Sequence, residues 1–198
     1  MATEKACDWN PVEVAARAKE YDPDAFGALF DRYFEKIRRY AYFQTGDLDA
    51  ADELASEVFK QALESIASFD DRGGSIGAWL YGIARNMIAA HFRAAGKMGT
   101  VMTDSAAFVA EGGEPEKRVL EKSTYEDLYT AIARLPAEQR EIIILRFIEG
   151  YRVKTVARIL DKRPGAVRAQ QHRAIASLRK MFESGEFDAT GWEVAFSE

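Results

Sequence analysis

Hydrophobic residues recur every three to four positions along most of the chain, which is the spacing of amphipathic helices. Strict alternation of apolar and polar residues, the pattern of strands, is scarce. In the segment 24–44 one apolar face comprises Phe26, Leu29, Phe30, Tyr33, Ile37 and Tyr40. A second helix follows over 49–68, with Asp47 or Asp49 as its N-cap. Its apolar stripe comprises Leu54, Val58, Ala62 and Ile66. The pattern predicts an all-α fold.

A third predicted helix follows Ser75, a candidate N-cap, and contains the stretch WLYGIARNMIAAHFR at 79–93. At 100° per residue, one face comprises Ile76, Trp79, Leu80, Ile83, Ala84 and Met87. The opposite face comprises Gly82, Arg85, Asn86, Ala89 and Arg93. This second face has no acidic residue, whereas a solvated helix usually mixes Glu with Lys. We therefore expect it to lie along a nucleic-acid backbone, the alternative being a solvated face that happens to lack acids.

The helical pattern fades between about 95 and 122, where the chain is rich in Gly, Ala, Thr and acids, as in a linker. A second helical set starts at 123–126, whose Ser-Thr-Tyr-Glu sequence fits a capping box. Its first apolar stripe comprises Tyr125, Leu128, Ile132 and Leu135. Pro136 suits the first turn of the next helix, and Gly150 can close that helix. The sequence therefore predicts two small helical domains joined by a flexible linker.

The end of the second set has the form of a helix-turn-helix, with predicted helices at 153–160 and 165–182 separated by DKRPG. On the second helix the inward side comprises Val167, Gln171, Ala174, Ile175 and Leu178. The other side comprises the small or polar Ala169, His172 and Ala176, flanked by Arg168 and Arg173. Small residues at the centre would let the helix enter a major groove, where the flanking cations would meet phosphates or guanine edges.

Charge is unevenly distributed along the chain. The net charge of −5 gives no general support to nucleic-acid binding. Between 152 and 180, however, nine cations face only Asp161: Arg152, Lys154, Arg158, Lys162, Arg163, Arg168, Arg173, Arg179 and Lys180. The helix 49–68 has the opposite sign, with Asp52, Glu53, Glu57 and Glu64 against Lys60. The local cationic patch suits binding to the phosphates of a nucleic acid. The acidic helix either suits a basic protein partner or is a solvated face.

Several classes of function are disfavoured. The single cysteine, Cys7, excludes an intramolecular disulfide and a site of several thiolates. We see no signal peptide and no run of about 20 apolar residues that would suit a membrane span. The histidines His91 and His172 fall in different predicted domains, and DDRGGS lacks the P-loop spacing. The sequence therefore predicts a cytoplasmic protein that is not an enzyme, with no cofactor, metal site, small-molecule substrate or membrane insertion.

Two long segments carry a family resemblance. DLDAADELASEVFKQALESIASFDDRGGSIGAWLYGIARNMIAAHFRA resembles region 2 of bacterial sigma factors, and LPAEQREIIILRFIEGYRVKTVARILDKRPGAVRAQQHRAIASLR resembles their region 4. The chain is short and has no region-3 domain between the two segments, and in this it resembles the extracytoplasmic-function (ECF) RNA polymerase sigma factors. The implied organisation is an N-terminal extension (1–21), a region-2 domain (22–95), a linker (96–122), a region-4 domain (123–183) and a C-terminal tail (184–198).

The resemblance implies a transcription initiation factor that binds core RNA polymerase, recognises −10 and −35 promoter elements and assists promoter melting. The residues implied in binding the polymerase β′ subunit are Asp52, Glu53, Glu57 and Phe59. Those implied at the −10 element, where a base is captured from the melted strand, are Asp70, Asp71, Arg72, Gly73, Gly74, Ser75, Arg85, Asn86, Ala89 and Arg93. Those implied at the −35 element are Arg163, Gly165, Ala166, Arg168, Ala169, His172 and Arg173.

The resemblance also implies partners. These are core polymerase, through its β′ and β subunits, promoter DNA and an anti-sigma factor that masks both DNA-binding faces. A stand-alone helix-turn-helix regulator with an N-terminal ligand domain is the competing interpretation, although such a protein would not need an acid-free face on 82–93. The tail combines acids with Phe187, Trp192 and Phe196. It is either a docking peptide or a segment that packs back on the region-4 domain.

Overall fold

The computed structural model describes residues 9–70, 75–96 and 127–185, and every regular element within them is helical. The half that resembles region 2, which we call the region-2 half, contains α1 (Pro11–Lys19), α2 (Pro23–Thr45), α3 (Leu48–Ser65) with a 3-10 turn at Ile66–Ser68, and α4 (Ile76–Ala94). The half that resembles region 4, which we call the region-4 half, contains α5 (127–133), α6 (Ala137–Ile143) with a π-helical end at Ile144–Ile148, α7 (Val153–Ile159) and α8 (Pro164–Glu183). The predicted all-α class is confirmed. The capping box predicted at 123–126 lies outside the described residues.

The helices of the region-2 half begin where short polar side chains cap them. The Asp47 carboxylate accepts a hydrogen bond from the Ala50 amide (3.1 Å), and the Ser75 hydroxyl accepts one from the Ala78 amide (3.3 Å). Helix α2 ends at Gly46, whose φ of +72° is the left-handed conformation that glycine adopts without strain. The predicted stripe of α3 is buried throughout, and α2 packs against it along its length.

Helix α1 has no counterpart among the elements that the pattern predicts. Its N-cap Asn10 accepts hydrogen bonds from the amides of Val12 and Glu13, and Ala15 and Ala18 are buried against the rest of the half. The indole of Trp9, just before the helix, meets the ring of Tyr33 edge-on with centroids 6.1 Å apart. The extension before residue 22 therefore contributes to the region-2 core.

The faces of α4 differ from the expected ones. The buried side chains of α4 are Ile76, Gly77, Ala78, Leu80, Tyr81, Ala84 and Ile88. Trp79, Ile83 and Met87, which the helical wheel places in the core, are only partly buried. The expected face is rotated because α4 is covered from a second side, by α7 of the region-4 half. A wheel drawn for a helix with one buried face cannot anticipate that second contact.

In the region-4 half, α6, α7 and α8 surround a core of Ile142, Ile143, Ile144, Leu145, Val156, Val167, Ala174 and Leu178. Pro136 is the N-cap of α6 rather than part of its first turn. The helix widens at its end, where the Glu149 amide donates to the Ile144 carbonyl (2.9 Å), an i to i+5 hydrogen bond. Gly150 then ends it with a φ of +71°, as predicted.

The two halves pack against each other through α2 and α4 on one side and α6 and α7 on the other. The Tyr40 hydroxyl donates to the Glu141 carboxylate (2.6 Å), and the Arg39 guanidinium pairs with Glu149. The ring of Tyr151 meets that of Tyr81 edge-on, with centroids 5.4 Å apart. We call these contacts the interdomain interface.

Candidate DNA and polymerase interfaces

Helix α8 presents the residues expected at the −35 element. Arg163, Gly165, Ala166, Arg168, Ala169, His172 and Arg173 are all exposed. Val167, Ala174 and Leu178 anchor the opposite side of the helix in the core. The amide oxygen of Gln171, which the wheel placed inward, accepts a hydrogen bond from Arg146 (3.1 Å). The fold thus leaves a small-residue face with flanking cations open to a partner such as a major groove.

The residues expected at the −10 element lie in and around α4. Residues 71–74, which comprise Asp71, Arg72, Gly73 and Gly74, lie outside the described residues. Asp70 and Ser75 are exposed on either side of that gap, and Ser75 also caps α4. Asn86, Ala89 and Arg93 are exposed on α4. The structure therefore brings the described members of this set to one end and one side of a single helix.

Arg85 is an exception, because it faces the region-4 half. Its guanidinium lies 3.4 Å from the Glu141 carboxylate, and its side chain is 39% exposed. Glu141 also accepts the hydrogen bond of Tyr40. Burial raises the pKa of Glu141 above its ordinary value, against the opposing effect of that hydrogen bond. Burial likewise raises the pKa of Tyr40, so its hydroxyl stays protonated and donates. Arg85 is thus already engaged when the interdomain interface is formed.

The acidic residues expected to bind polymerase lie along α3. Glu53 and Glu57 are exposed, while Asp52 forms an ion pair with Arg38 of α2. Phe59 is only 4% exposed, because the rings of Phe30 and Phe34 cover it, the nearer centroid at 5.0 Å. In this arrangement a protein docking on α3 would meet Phe30, which is 39% exposed, before Phe59.

The interdomain interface contains functional candidates that the pattern of the sequence does not reveal. Arg39, Arg140 and Glu149 bear charges at buried or half-buried positions between the halves. Their sequence signal is weak, since each lies in or directly after a helix whose apolar periodicity is satisfied without it. A charged residue beside a continuous apolar run, as in Arg140 before Ile142–Leu145, is the clue that was available.

Residues 9–70, 75–96 and 127–185 hold no cluster of three or more His, Cys, Asp or Glu side chains suited to a metal ion. Within those ranges no helix has the length and apolar character required to cross a membrane.

Known proteins match both halves in the expected order. Residues 29–98 match the family Sigma-70 region 2, and residues 125–178 match the family Sigma-70, region 4. The chain is 31% identical to the ECF RNA polymerase sigma factor SigD of Mycobacterium tuberculosis, over 84% of this chain and 81% of SigD. This chain is an ECF RNA polymerase sigma factor by family. The family comprises promoter-specific transcription initiation factors and not enzymes in general, which sets aside the stand-alone regulator.

Further relatives agree with the membership. BldN, an ECF sigma factor of Streptomyces coelicolor, is 37% identical over 86% of this chain, and the chain spans 65% of the length of BldN. Among solved structures, CnrH in complex with the cytosolic domain of CnrY superposes with a TM-score of 0.67 at 22% identity, covering 88% of this chain and 97% of that one. The sigma factor RpoE of Bartonella quintana, in complex with the anti-sigma factor NepR, gives 0.66 at 24% identity, covering 80% and 96%. At these identities the solved structures show the fold.

Proposed function

We propose that this sigma factor binds core RNA polymerase through the exposed acids of α3 and directs it to promoters by recognising both their −35 and their −10 elements. Helix α8 would read the −35 element, while α4 and the residues before it would engage the −10 element. The observation that carries the proposal is the open, acid-free face of α8 from Arg163 to Arg173. Phosphate contacts by its cations would set the position, and the small central residues would admit base edges. The reaction catalysed remains that of the polymerase, in the cytoplasm.

Reconstituted run-off transcription tests the proposal. Core polymerase is combined with the purified chain and a library of genomic fragments, and the products are compared with those of core polymerase alone. Promoter-dependent products in the presence of the chain support the proposal. If no fragment yields such a product, the proposed function fails.

The −10 assignment is tested separately from polymerase binding. Asn86→Ala should reduce promoter opening, measured by permanganate reactivity of unpaired thymines, more than it reduces binding to core polymerase. The reason is that Asn86 is exposed on α4, whereas the acids expected to bind polymerase lie on a different helix, α3. Equal loss of opening and of polymerase binding would contradict the assignment.

The polymerase assignment has a matched control on the same half. Glu53→Lys and Glu57→Lys reverse exposed charges on α3, whereas Asp31→Lys reverses an exposed charge on α2. We expect the α3 variants to weaken the association with core polymerase on a sizing column and the α2 variant to leave it intact. Equal effects of all three variants would assign the loss to net charge.

We further propose that an anti-sigma factor holds this protein inactive. Support comes from the RpoE–NepR complex, a relative by fold, and from Arg85, whose pairing with Glu141 must break before it can meet DNA. A ligand that favours the packed halves would keep Arg85 engaged. Affinity capture from the native host should recover a partner besides polymerase under non-inducing conditions, and recovery of polymerase alone under all conditions would count against this.

A further inference from the structure

A cavity of about 450 Å³ lies between the two halves, bounded by α2, α4, α6 and the turn before α8. Its apolar wall includes Ile88 and Phe92 of α4 and Ala137 of α6. Its polar wall has four cations, Arg85, Arg93, Arg140 and Lys162, and two acids, of which Glu138 pairs with Lys162 (2.8 Å) and Glu141 lies 3.4 Å from Arg85. Such a mixture of apolar surface and positive charge suits an acidic segment with large apolar side chains.

Two buried polar side chains lie on the cavity wall, those of Gln44 and Arg140. The amide nitrogen of Gln44, whose side chain is 6% exposed, has no hydrogen-bond acceptor among the described residues. Arg140 is 3% exposed and donates to the Ala133 carbonyl (2.8 Å) and to Gln44 (3.4 Å), yet no carboxylate of the described residues forms an ion pair with it. Burial accordingly lowers the pKa of Arg140 to about 10. Glu141 acts on Arg140 electrostatically, but its carboxylate also accepts the hydrogen bond of Tyr40 and lies near Arg85, so a further anionic group at this wall would be favourable.

The chain itself carries a segment of complementary character. Residues 186–198 contain Glu186, Asp188, Glu193 and Glu198, together with Phe187, Trp192 and Phe196, and no Lys or Arg. The segment is also long enough to reach. Helix α8 has 20 residues and is about 30 Å long, and its first turn lies next to Lys162 on the cavity wall. An extended stretch of about 13 residues spans up to about 45 Å, which exceeds the length of the helix.

We propose that residues 186–198 dock into the cavity between the halves, with acidic side chains toward Arg140 and Lys162 and aromatic side chains against Ile88 and Phe92. The tail then acts as an internal ligand that holds the two halves together. This inference does not depend on the polymerase or promoter assignments, since it concerns only contacts within the chain.

The test uses the full chain and paramagnetic relaxation. A nitroxide is attached near the end of the tail through the substitution Ser197→Cys, in a background where the single native cysteine is removed by Cys7→Ala. The nitroxide should broaden the amide signals of Ile88, Phe92 and Ala137. Broadening confined to other surfaces, or none beyond the tail itself, overturns the proposal.

Charge reversal supplies the matched control. Lys162→Glu should weaken docking about fivefold, the effect expected from loss of a partly exposed ion pair, whereas Lys180→Glu, on the exposed side of α8, should leave the broadening unchanged. Equal effects of the two variants would refute the assigned contacts. A mixture of spin-labelled protein and isotope-labelled, unmodified protein tests for the tail of a second copy, and cavity broadening in that mixture would overturn docking within one chain.

Discussion

Two neighbouring arginines of α2 offer a measurement of how strongly the interdomain interface is held. Arg39 pairs across the interface with Glu149, whose side chain is 1% exposed, while Arg38 pairs within the region-2 half with Asp52, whose side chain is 52% exposed. Arg39→Met leaves a buried carboxylate without its cation, and Arg38→Met leaves an exposed one. The two substitutions remove the same charge from adjacent positions and differ in what they leave behind.

The expected magnitudes differ accordingly. Loss of one partner of a buried pair costs about 3–5 kcal/mol, and we expect the lower end, about 3 kcal/mol, because the Arg39 side chain is 26% exposed and the halves can separate to hydrate Glu149. Loss of the exposed pair should cost less than about 1 kcal/mol. Replacement of both partners, Arg39→Met with Glu149→Leu, should recover most of the loss, since an apolar pair of similar volume is close to neutral in such a place.

Urea unfolding monitored by circular dichroism measures the free energies of unfolding, and small-angle X-ray scattering measures the radius of gyration. We expect Arg39→Met to lower the midpoint and to expand the protein at zero urea, and Arg38→Met to do neither to a comparable degree. A loss for Arg39→Met no larger than that for Arg38→Met would refute the reasoning. So would a double variant no more stable than Arg39→Met alone.

Three further predictions concern α4, α8 and pH. Gly82→Ala should stabilise the chain by about 1 kcal/mol in thermal unfolding, because nothing lies within 4 Å of the added carbon. Gly77→Ala should destabilise it by about 1–3 kcal/mol, because the added carbon would meet two tyrosine side chains. The reverse order of stabilities would contradict the packing. Arg168→Ala should weaken the binding of the holoenzyme to −35 DNA, while Lys180→Ala should retain affinity. If Arg168 contacts phosphate, its loss should also reduce the dependence of log affinity on log salt concentration by about 1. Fluorescence anisotropy across a salt series checks this, and equal losses of affinity in the two variants would count against the −35 face. Because burial raises the pKa of Glu141 above 4.5, its contribution to stability is greatest below pH 4.5 and is lost as pH rises through the raised pKa. In urea unfolding, the free energy of unfolding of the native chain should therefore fall relative to that of Glu141→Gln over this pH range. A difference that stays constant with pH would disprove the pKa shift.

The sequence predicted the helical content well because the helices start and stop at local signals. Asp47, Ser75 and Gly150 perform the capping and termination expected of them. The outward face of α8 was also predictable, since this helix packs on one side only and its periodicity reports that side directly. The family matches agree in order and position with the two segments whose residues carried the resemblance.

What could not be predicted arises from contacts distant in sequence. Arg85 meets Glu141 across the interdomain interface, and no local pattern marks that encounter. The packing of α7 against α4 likewise rotates the buried side of α4 toward Tyr81 and Ile88. Phe59 was assigned to a partner surface from its position in a motif, but its ring lies under Phe30 and Phe34. Helical periodicity cannot distinguish a side chain that meets solvent from one that meets a second domain.

The π-helical end of α6 decides which way two carboxylates point. Glu141 and Glu149 are eight positions apart, and in an uninterrupted α-helix they would diverge by about 80°. The wider turn at Ile144–Ile148 accommodates one additional residue, so the angular difference falls to about 20° and both side chains reach the same neighbouring half. Deletion of a single residue from this turn would restore a regular helix, place the two glutamates seven positions apart and keep them about 20° apart, so Glu149 would still face Arg39. The π-helical turn thus absorbs one extra residue without changing the direction of Glu149, whereas an α-helix of the same sequence would turn it away from the neighbouring half.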